Sequence, residues 1–320
     1  MRILCGTFVS TLLFGTSVTG CQPASNPEDR SPEKYVNDRL NSSDQAQAPI
    51  AIKPAESEFK LDCQKQSFMI VNGAWVGVQH SLTESLVKIY GANATCTGTV
   101  IGARHILTAA HCLRNMTDPQ SIRIGVGVSG EWDSRIKIQA YRIHPNYSGL
   151  ENLETNNLLP VGLYDVALLM SEENLPSSLR AVGIAKSSDL VAGNEAYVAG
   201  FGAYGEGDYL PRPLTAAWIR LSEVVPERSE IQIESSNFSG PCYGDSGGPL
   251  LIMNAAQSQS CFLLAGSITG RGRGDLKGCD SGRATVMDLS RFQDWVQCSL
   301  NEWNTQSNAL LQPPFTTDCR

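Results

Sequence analysis

Gly240-Pro241-Cys242-Tyr243-Gly244-Asp245-Ser246-Gly247-Gly248-Pro249 sets one serine among glycines, beside a carboxylate and shortly after a cysteine. A serine hydroxyl is a poor nucleophile at neutral pH, so chemistry through Ser246 needs a base to take its proton. It also needs backbone N–H donors aimed at the oxyanion formed on attack. Glycines on both sides allow the tight dihedrals that turn several N–H groups inward. A lone Gly-x-Ser-x-Gly is as often a glycine-rich turn without chemistry, but this run is longer and more specific than that. A base and an orienting acid elsewhere in the chain decide between the two.

The chain has 4 histidines: His80, His105, His111 and His144. His111 lies in Leu107-Thr108-Ala109-Ala110-His111-Cys112, and Asp165 heads the apolar run Val166-Ala167-Leu168-Leu169-Met170. These two motifs and Gly-Asp-Ser-Gly-Gly-Pro resemble those of the chymotrypsin/trypsin family of serine peptidases. The order His111, Asp165, Ser246 is also that family's, unlike that of subtilisin or the α/β-hydrolases. His144, in His144-Pro145-Asn146-Tyr147, resembles a structural turn of the family. His80 and His105 have no motif around them.

The resemblance covers about Ile70 to Trp303 and implies an all-β fold: two six-stranded antiparallel β-barrels of chymotrypsin type with a C-terminal α-helix. It implies a serine endopeptidase acting on protein or peptide substrates through an acyl-enzyme. His111 would be the base and then the acid, with Asp165 orienting it. Gly244 and Ser246 would supply the oxyanion-hole N–H groups. The resemblance also places the floor of a specificity pocket at Gly240 and its walls at Pro241, Ser267 to Gly272 (with Thr269, Gly270 and Arg271) and Gly282 to Ala284. Trypsin-like enzymes carry an aspartate at the floor. With glycine there, a buried Lys or Arg of the substrate would be unpaired, so small or medium apolar side chains are expected. Thr269-Gly270-Arg271 stands where many members have Ser-Trp-Gly, and Arg271 would narrow the mouth.

The strand pattern agrees with this. Leu86 to Tyr90, Thr95 to Ile101, Arg104 to Thr108, Ile122 to Val128 and Ile136 to Ile143 read as short strands broken by Gly and Asn. Glu195 to Phe201, Ala216 to Val224, Ile231 to Glu234, Pro249 to Met253 and Phe262 to Ile268 repeat the pattern. Arg291 to Trp303 has helical spacing. The segment from Ser148 to Gly162 reads as a polar loop ahead of Asp165.

Phe68-Met69-Ile70-Val71-Asn72-Gly73 resembles the family's activation junction. Cleavage before Ile70 would free an α-ammonium that pairs with Asp245, and a buried carboxylate is costly unless paired. Met69 replaces the usual Arg or Lys, so the activating peptidase would not be trypsin-like unless the chain cuts itself.

Ten cysteines suggest an oxidising compartment. Cys5 falls in an export signal (residues 1–20), which ends in Val18-Thr19-Gly20-Cys21, similar to a bacterial lipobox with Cys21 lipidated. Residues 21–69 read as a disordered, lipid-anchored tether and propeptide, residues 70–304 as the peptidase domain and 305–320 as a tail. The expected location is export, either to a bacterial outer membrane facing periplasm or surface, or as a secreted protein. Eight cysteines remain after Cys5 and Cys21 are set aside, an even number as secreted disulfides require. The resemblance pairs Cys96 with Cys112 and Cys242 with Cys279. Cys63, Cys261, Cys298 and Cys319 then allow three pairings, of which Cys63–Cys261 and Cys298–Cys319 are favoured.

A net charge of −7 gives no reason to expect a nucleic acid partner. No cluster has zinc spacing, and Glu131 with Asp133 is too thin for calcium, so no metal or cofactor is expected. A monomer is expected. Two rivals stand beside this reading. One is a binding protein or locked zymogen on the same fold. The other is a secreted eukaryotic peptidase, to which the sequons at Asn93, Asn115 and Asn146 point.

Overall fold

A computed structural model describes residues 74–75, 81–91, 95–148, 163–205, 207–208, 212–236, 238–254, 261–272, 278–305 and 319. The export signal, Cys21, the tether, Cys63, Ile70, Asn93 and most of the tail lie outside the described residues.

The first barrel closes in the order β2 (Leu86–Tyr90), β3 (Thr95–Val100), β4 (His105–Thr108), β7 (Ala167–Ser171), β6 (Glu131–Ile143) and β5 (Arg123–Val126). Every pairing is antiparallel. Its inward faces supply one core, with Val87, Ile89, Val100, Ile106, Ile124, Ile138 and Leu169. Gly98 is required there, because a Cβ would lie 2.7 Å from Ile106 Cγ2 and 2.9 Å from Ile89 Cδ1.

The second sheet runs β1 (Ala74–Trp75), β9 (Thr215–Val225), β10 (Glu230–Glu234), β13 (Arg283–Asp288), β12 (Phe262–Arg271), β11 (Pro249–Met253) and β8 (Glu195–Gly200). The additional pairing of β8 with β9 closes six of these strands into a second barrel and leaves β1 on its outside. Val198, Ile219, Ile231, Leu250, Ile268 and Val286 fill it. Full closure leaves neither barrel an open sheet edge. The fold is two closed six-stranded antiparallel barrels with a C-terminal helix, as expected.

A third core, holding Leu86, Leu107, Ala199, Phe201, Leu214 and Trp295, joins the barrels to each other and to α1 (Gln293–Thr305). Main-chain bonds cross this seam, Leu214 N donating to Val128 O at 2.7 Å and Val182 N to Val100 O at 2.9 Å. Buried Lys88 reaches over the Phe201 ring and donates to Arg212 O at 3.4 Å. Helix α1 docks on the first barrel although it follows the second. Arg142 of β6 donates to Ser299 Oγ (3.0 Å) and Glu302 Oε2 (2.6 Å), and its guanidinium lies 5.3 Å from the Trp303 ring centre.

Disulfides join Cys96 to Cys112, Cys242 to Cys279 and Cys298 to Cys319. Cys261 is also disulfide-bonded, to a partner outside the described residues.

Candidate active site

His111 and Asp165 come from the first barrel. A short 3-10 turn, Ala110–Cys112, follows β4 and carries His111, with the bridge from Cys96 fixing its end. Asp165 precedes β7 and is buried. Tyr164, just before it, holds a left-handed φ of 57°, uncommon for a side chain of that size. The Tyr164 ring stacks on His144, which also meets Phe292 and Trp295. This aromatic cluster anchors the loop that presents Asp165. Burial within it pushes the His144 imidazole down to about 4, so His144 is a neutral packing residue.

Both carboxylate oxygens of Asp165 grip His111. Oδ1 accepts the His111 main-chain N–H at 2.8 Å, and Oδ2 lies 2.7 Å from Nδ1. That places the Nδ1 proton toward Asp165 and leaves Nε2 as the basic nitrogen. Thr269 Oγ1 donates to the same Oδ2. Thr269, which the family resemblance set among the pocket walls, thus turns its hydroxyl onto the carboxylate that holds His111.

Ser246 comes from the second barrel, in the loop before β11. Its carbonyl accepts from Thr97 N at 2.9 Å, which presses the loop against β3. The two barrels meet closely here. A Cβ on Gly247 would lie 2.1 Å from Thr108 Oγ1 and 2.4 Å from Thr97 O, and φ is +79°, so only glycine fits. Thr97 also ties the loop to the second barrel: its Oγ1 donates to Gly244 O at 3.0 Å and accepts from Phe201 N at 3.1 Å. Within the loop, the amides of Asp245, Gly247 and Gly248 donate to Cys242 O, Ile268 O and Asp245 O. The amides of Gly244 and Ser246 donate to none of the described residues, and Gly244 has φ +101°. Two N–H groups at alternate positions are thus left for an outside acceptor. The Ser246 hydroxyl makes no hydrogen bond among the described residues.

Asp245 is fully buried. Gly202 N donates to Oδ1 at 2.8 Å and Cys242 N to Oδ2 at 2.9 Å. Burial raises its carboxyl from 3.8 to about 7, against the pull of those two N–H groups. The Gly200-Phe201-Gly202 sequence is dictated by this group, because a Cβ on Gly200 would sit 2.1 Å from Oδ1 and one on Gly202 2.6 Å from Oδ2.

Around the expected pocket, Gly240 backs onto Gly282. A Cβ on Gly240 would lie 3.2 Å from Gly282 Cα. Pro241 is half-buried and leads to the Cys242–Cys279 bridge. Gly270 pairs with Thr285, and Arg271 with Ala284, so β12 continues as a strand past Ser267. Arg271 Nη2 donates to the Tyr243 hydroxyl at 2.6 Å, a contact the sequence did not signal beyond placing an aromatic beside Gly244. Cysteine-containing clusters occur at Cys96, His111 and Cys112 and at Cys298, Glu302 and Cys319, but in each the two sulfurs are bonded to one another.

Residues 74–296 match the family model described as Trypsin. The chain is 27% identical over 253 residues to serine protease SP24D of Anopheles gambiae, covering 74% of this chain and 83% of that protein. It is 27% identical over 228 residues to vitamin K-dependent protein C of Oryctolagus cuniculus, covering 65% of this chain and 47% of the relative. Among solved structures it is similar to a mutant of human heparin binding protein (CAP37), with a TM-score of 0.57, 21% identity, and coverage of 72% of this chain and 97% of that one. That likeness concerns the fold. With a family model matching most of its length over the two barrels that carry His111, Asp165 and Ser246, the chain belongs to the trypsin family.

Proposed function

We propose that the protein is a serine endopeptidase. The observation that carries this reading is the grip of Asp165 on His111 beside a loop whose Gly244 and Ser246 amides are left for an outside acceptor. His111 Nε2 takes the Ser246 proton as Oγ attacks the substrate carbonyl. The Gly244 and Ser246 amides then hold the oxyanion. The protonated imidazole, stabilised by Asp165, gives its proton to the leaving amine, and water repeats the sequence on the acyl-enzyme. The missing Ser246–His111 hydrogen bond fits a resting site, since such bonds are often long before substrate arrives.

Activity would follow a cut before Ile70, whose ammonium would pair with Asp245 and pull its carboxyl back down. The activator would be another peptidase or a second copy of the chain. Gly240 at the pocket floor favours substrates without a basic side chain there. Anchoring by lipid at Cys21 of a bacterial outer-membrane protein rests on Val18-Thr19-Gly20-Cys21 alone, because the relatives compared come from animals.

A fluorophosphonate probe tests the reading. It should label the wild type and spare Ser246→Ala, while His111→Ala loses nearly all turnover and Asp165→Asn about 10⁴-fold through the wrong tautomer. Equal labelling of wild type and Ser246→Ala would sink it. The second reading, a binding protein on the same fold, has one observation in its favour: Ser246 Oγ is not hydrogen-bonded to His111. It requires that no preparation of the chain labels.

A further inference from the structure

Thr97 is fully buried on β3, next to the cysteine that is bridged to the neighbour of His111. Its amide donates to Ser246 O at 2.9 Å, and its carbonyl accepts from Thr108 Oγ1 at 2.8 Å. The role of its hydroxyl is settled by the neighbours. Phe201 N donates to Oγ1 at 3.1 Å, so the one hydroxyl proton goes to Gly244 O, 3.0 Å away. The methyl helps to fix the rotamer, because Cγ2 packs over Gly248, where a Cβ would lie 3.2 Å from it. One residue of the first barrel thus holds the carbonyls of Gly244 and Ser246. Those are the same two residues whose amides are left for an outside acceptor.

A trans peptide turns its C=O and N–H opposite ways, so a carbonyl that is held aims the amide of the next residue. Ala203 N donates to Tyr243 O at 2.8 Å, which aims the Gly244 amide. Gly248 N donates to Asp245 O at 2.8 Å, which aims the Ser246 amide. Between these two peptides lies the one from Gly244 to Asp245. Its N–H donates to Cys242 O at 3.0 Å, and its carbonyl is the one Thr97 holds. Gly244 is its pivot, with φ +101° and no side chain to resist rotation. A turn of that middle peptide would change the angle between the two flanking amides. We propose that Thr97 is a positioning residue for the oxyanion hole: its hydroxyl pins the peptide between the two donor amides, so that both meet one oxyanion. This inference rests on the peptidase reading and deepens it by naming what ties the hole to the barrel of His111. Donors already in place when charge develops need no reorganisation, and such a hole gains its effect from that.

The test uses the full chain in the preparation that the fluorophosphonate labels, so that rates are expressed per active site. Thr97→Val keeps the shape and removes the hydroxyl. It should lower kcat/KM for p-nitrophenyl acetate, and the rate of fluorophosphonate labelling, at least about tenfold. That falls short of the roughly 10²- to 10³-fold cost of deleting a hole donor outright. Thr97→Ser, which keeps the hydroxyl, should recover most of the loss. The acid limb of the pH profile, which reports the base, should stay at its wild-type position because Asp165 keeps its grip on His111. Thr97→Ala takes the place of Thr97→Val if urea melts show the latter unfolded. Wild-type rates in Thr97→Val overturn the inference, and so does a Thr97→Ser variant as slow as Thr97→Val. A loss that comes with a displaced acid limb also overturns it, since the seam at His111 would then have shifted and not the hole alone. If the wild type never labels, the peptidase reading itself falls and this inference with it.

Discussion

Asp245 is fully buried and meets no cation among the described residues. Two N–H groups compensate it only in part, and its carboxyl stays raised to about 7. The uncut chain therefore holds a proton there that the unfolded chain releases near 3.8. Native protein binds more protons than unfolded protein between those values, so this contribution is complete below the lower one and is lost as pH rises through the upper one. The effect is on the order of 4 kcal/mol. We expect urea unfolding of uncut Ser246→Ala protein to show it against the double variant with Asp245→Asn, which mimics the protonated acid. The protein with Asp245 should lose stability relative to that variant between about pH 4 and pH 7, and a difference that ignores pH would mean the carboxylate is satisfied otherwise. After a cut, an ammonium in place would lower the carboxyl and flatten the slope.

Among the elements, α1 shows best how far docking reaches along the chain. Arg142 is buried and bonded to Ser299 and Glu302. Arg142→Met would take the guanidinium away from Glu302, and breaking such a pair typically costs about 3 kcal/mol where the remaining charge stays buried. Adding Glu302→Leu should recover more than half of that loss in urea melts. If the single substitution is silent, packing by Trp303 and Trp295 holds the helix without the pair. Much of the element list was legible. Leu86–Tyr90 and Pro249–Met253 have the bounds their patterning implied. β6 begins at Glu131, before the expected Ile136, because its first five residues are mostly exposed and carry no alternation. β12 outlasts its apolar run at Ile268, since Gly270 and Arg271 keep their pairing with β13. Ala167–Ser171 is buried throughout, so no alternation marks it as a strand. The helix starts at Gln293 and not at Arg291 because Leu289–Arg291 forms a 3-10 turn capped by Asp288. At the site, motifs marked His111, Asp165 and Ser246. Thr269 on Asp165, Thr97 under the nucleophile loop and Tyr243 against Arg271 are long-range contacts, and nothing in local patterning announces those.

At the scale of the whole molecule, the proposed cut before Ile70 and the proposed anchor at Cys21 would together need a link that survives the cut. Cys261 is disulfide-bonded to a residue beyond the described ones, while the other described cysteines pair among themselves. Cys63 is the partner the sequence favoured, and it precedes the junction at Ile70. With that pairing, a cut chain keeps its anchored segment through one covalent link. Cys63→Ser should then move labelled enzyme from the membrane fraction to the soluble fraction once Ile70 is the new amino terminus, with turnover per active site nearly unchanged. An unaltered partition would show that the link lies elsewhere.

The site is also shared between two halves, each with a closed barrel of its own. Every strand ladder closes within its own barrel, so no strand pairing crosses the seam. His111 and Asp165 travel with one half, Ser246 and Thr269 with the other, and Thr97 and Gly247 are where they touch. On the proposed reading, turnover would therefore work as a vernier on the junction. A slip of about 1 Å between the halves can cost a hundredfold in rate, yet it would leave circular dichroism and the disulfides as they were. Damage at the seam would look like an intact protein that has simply stopped cutting.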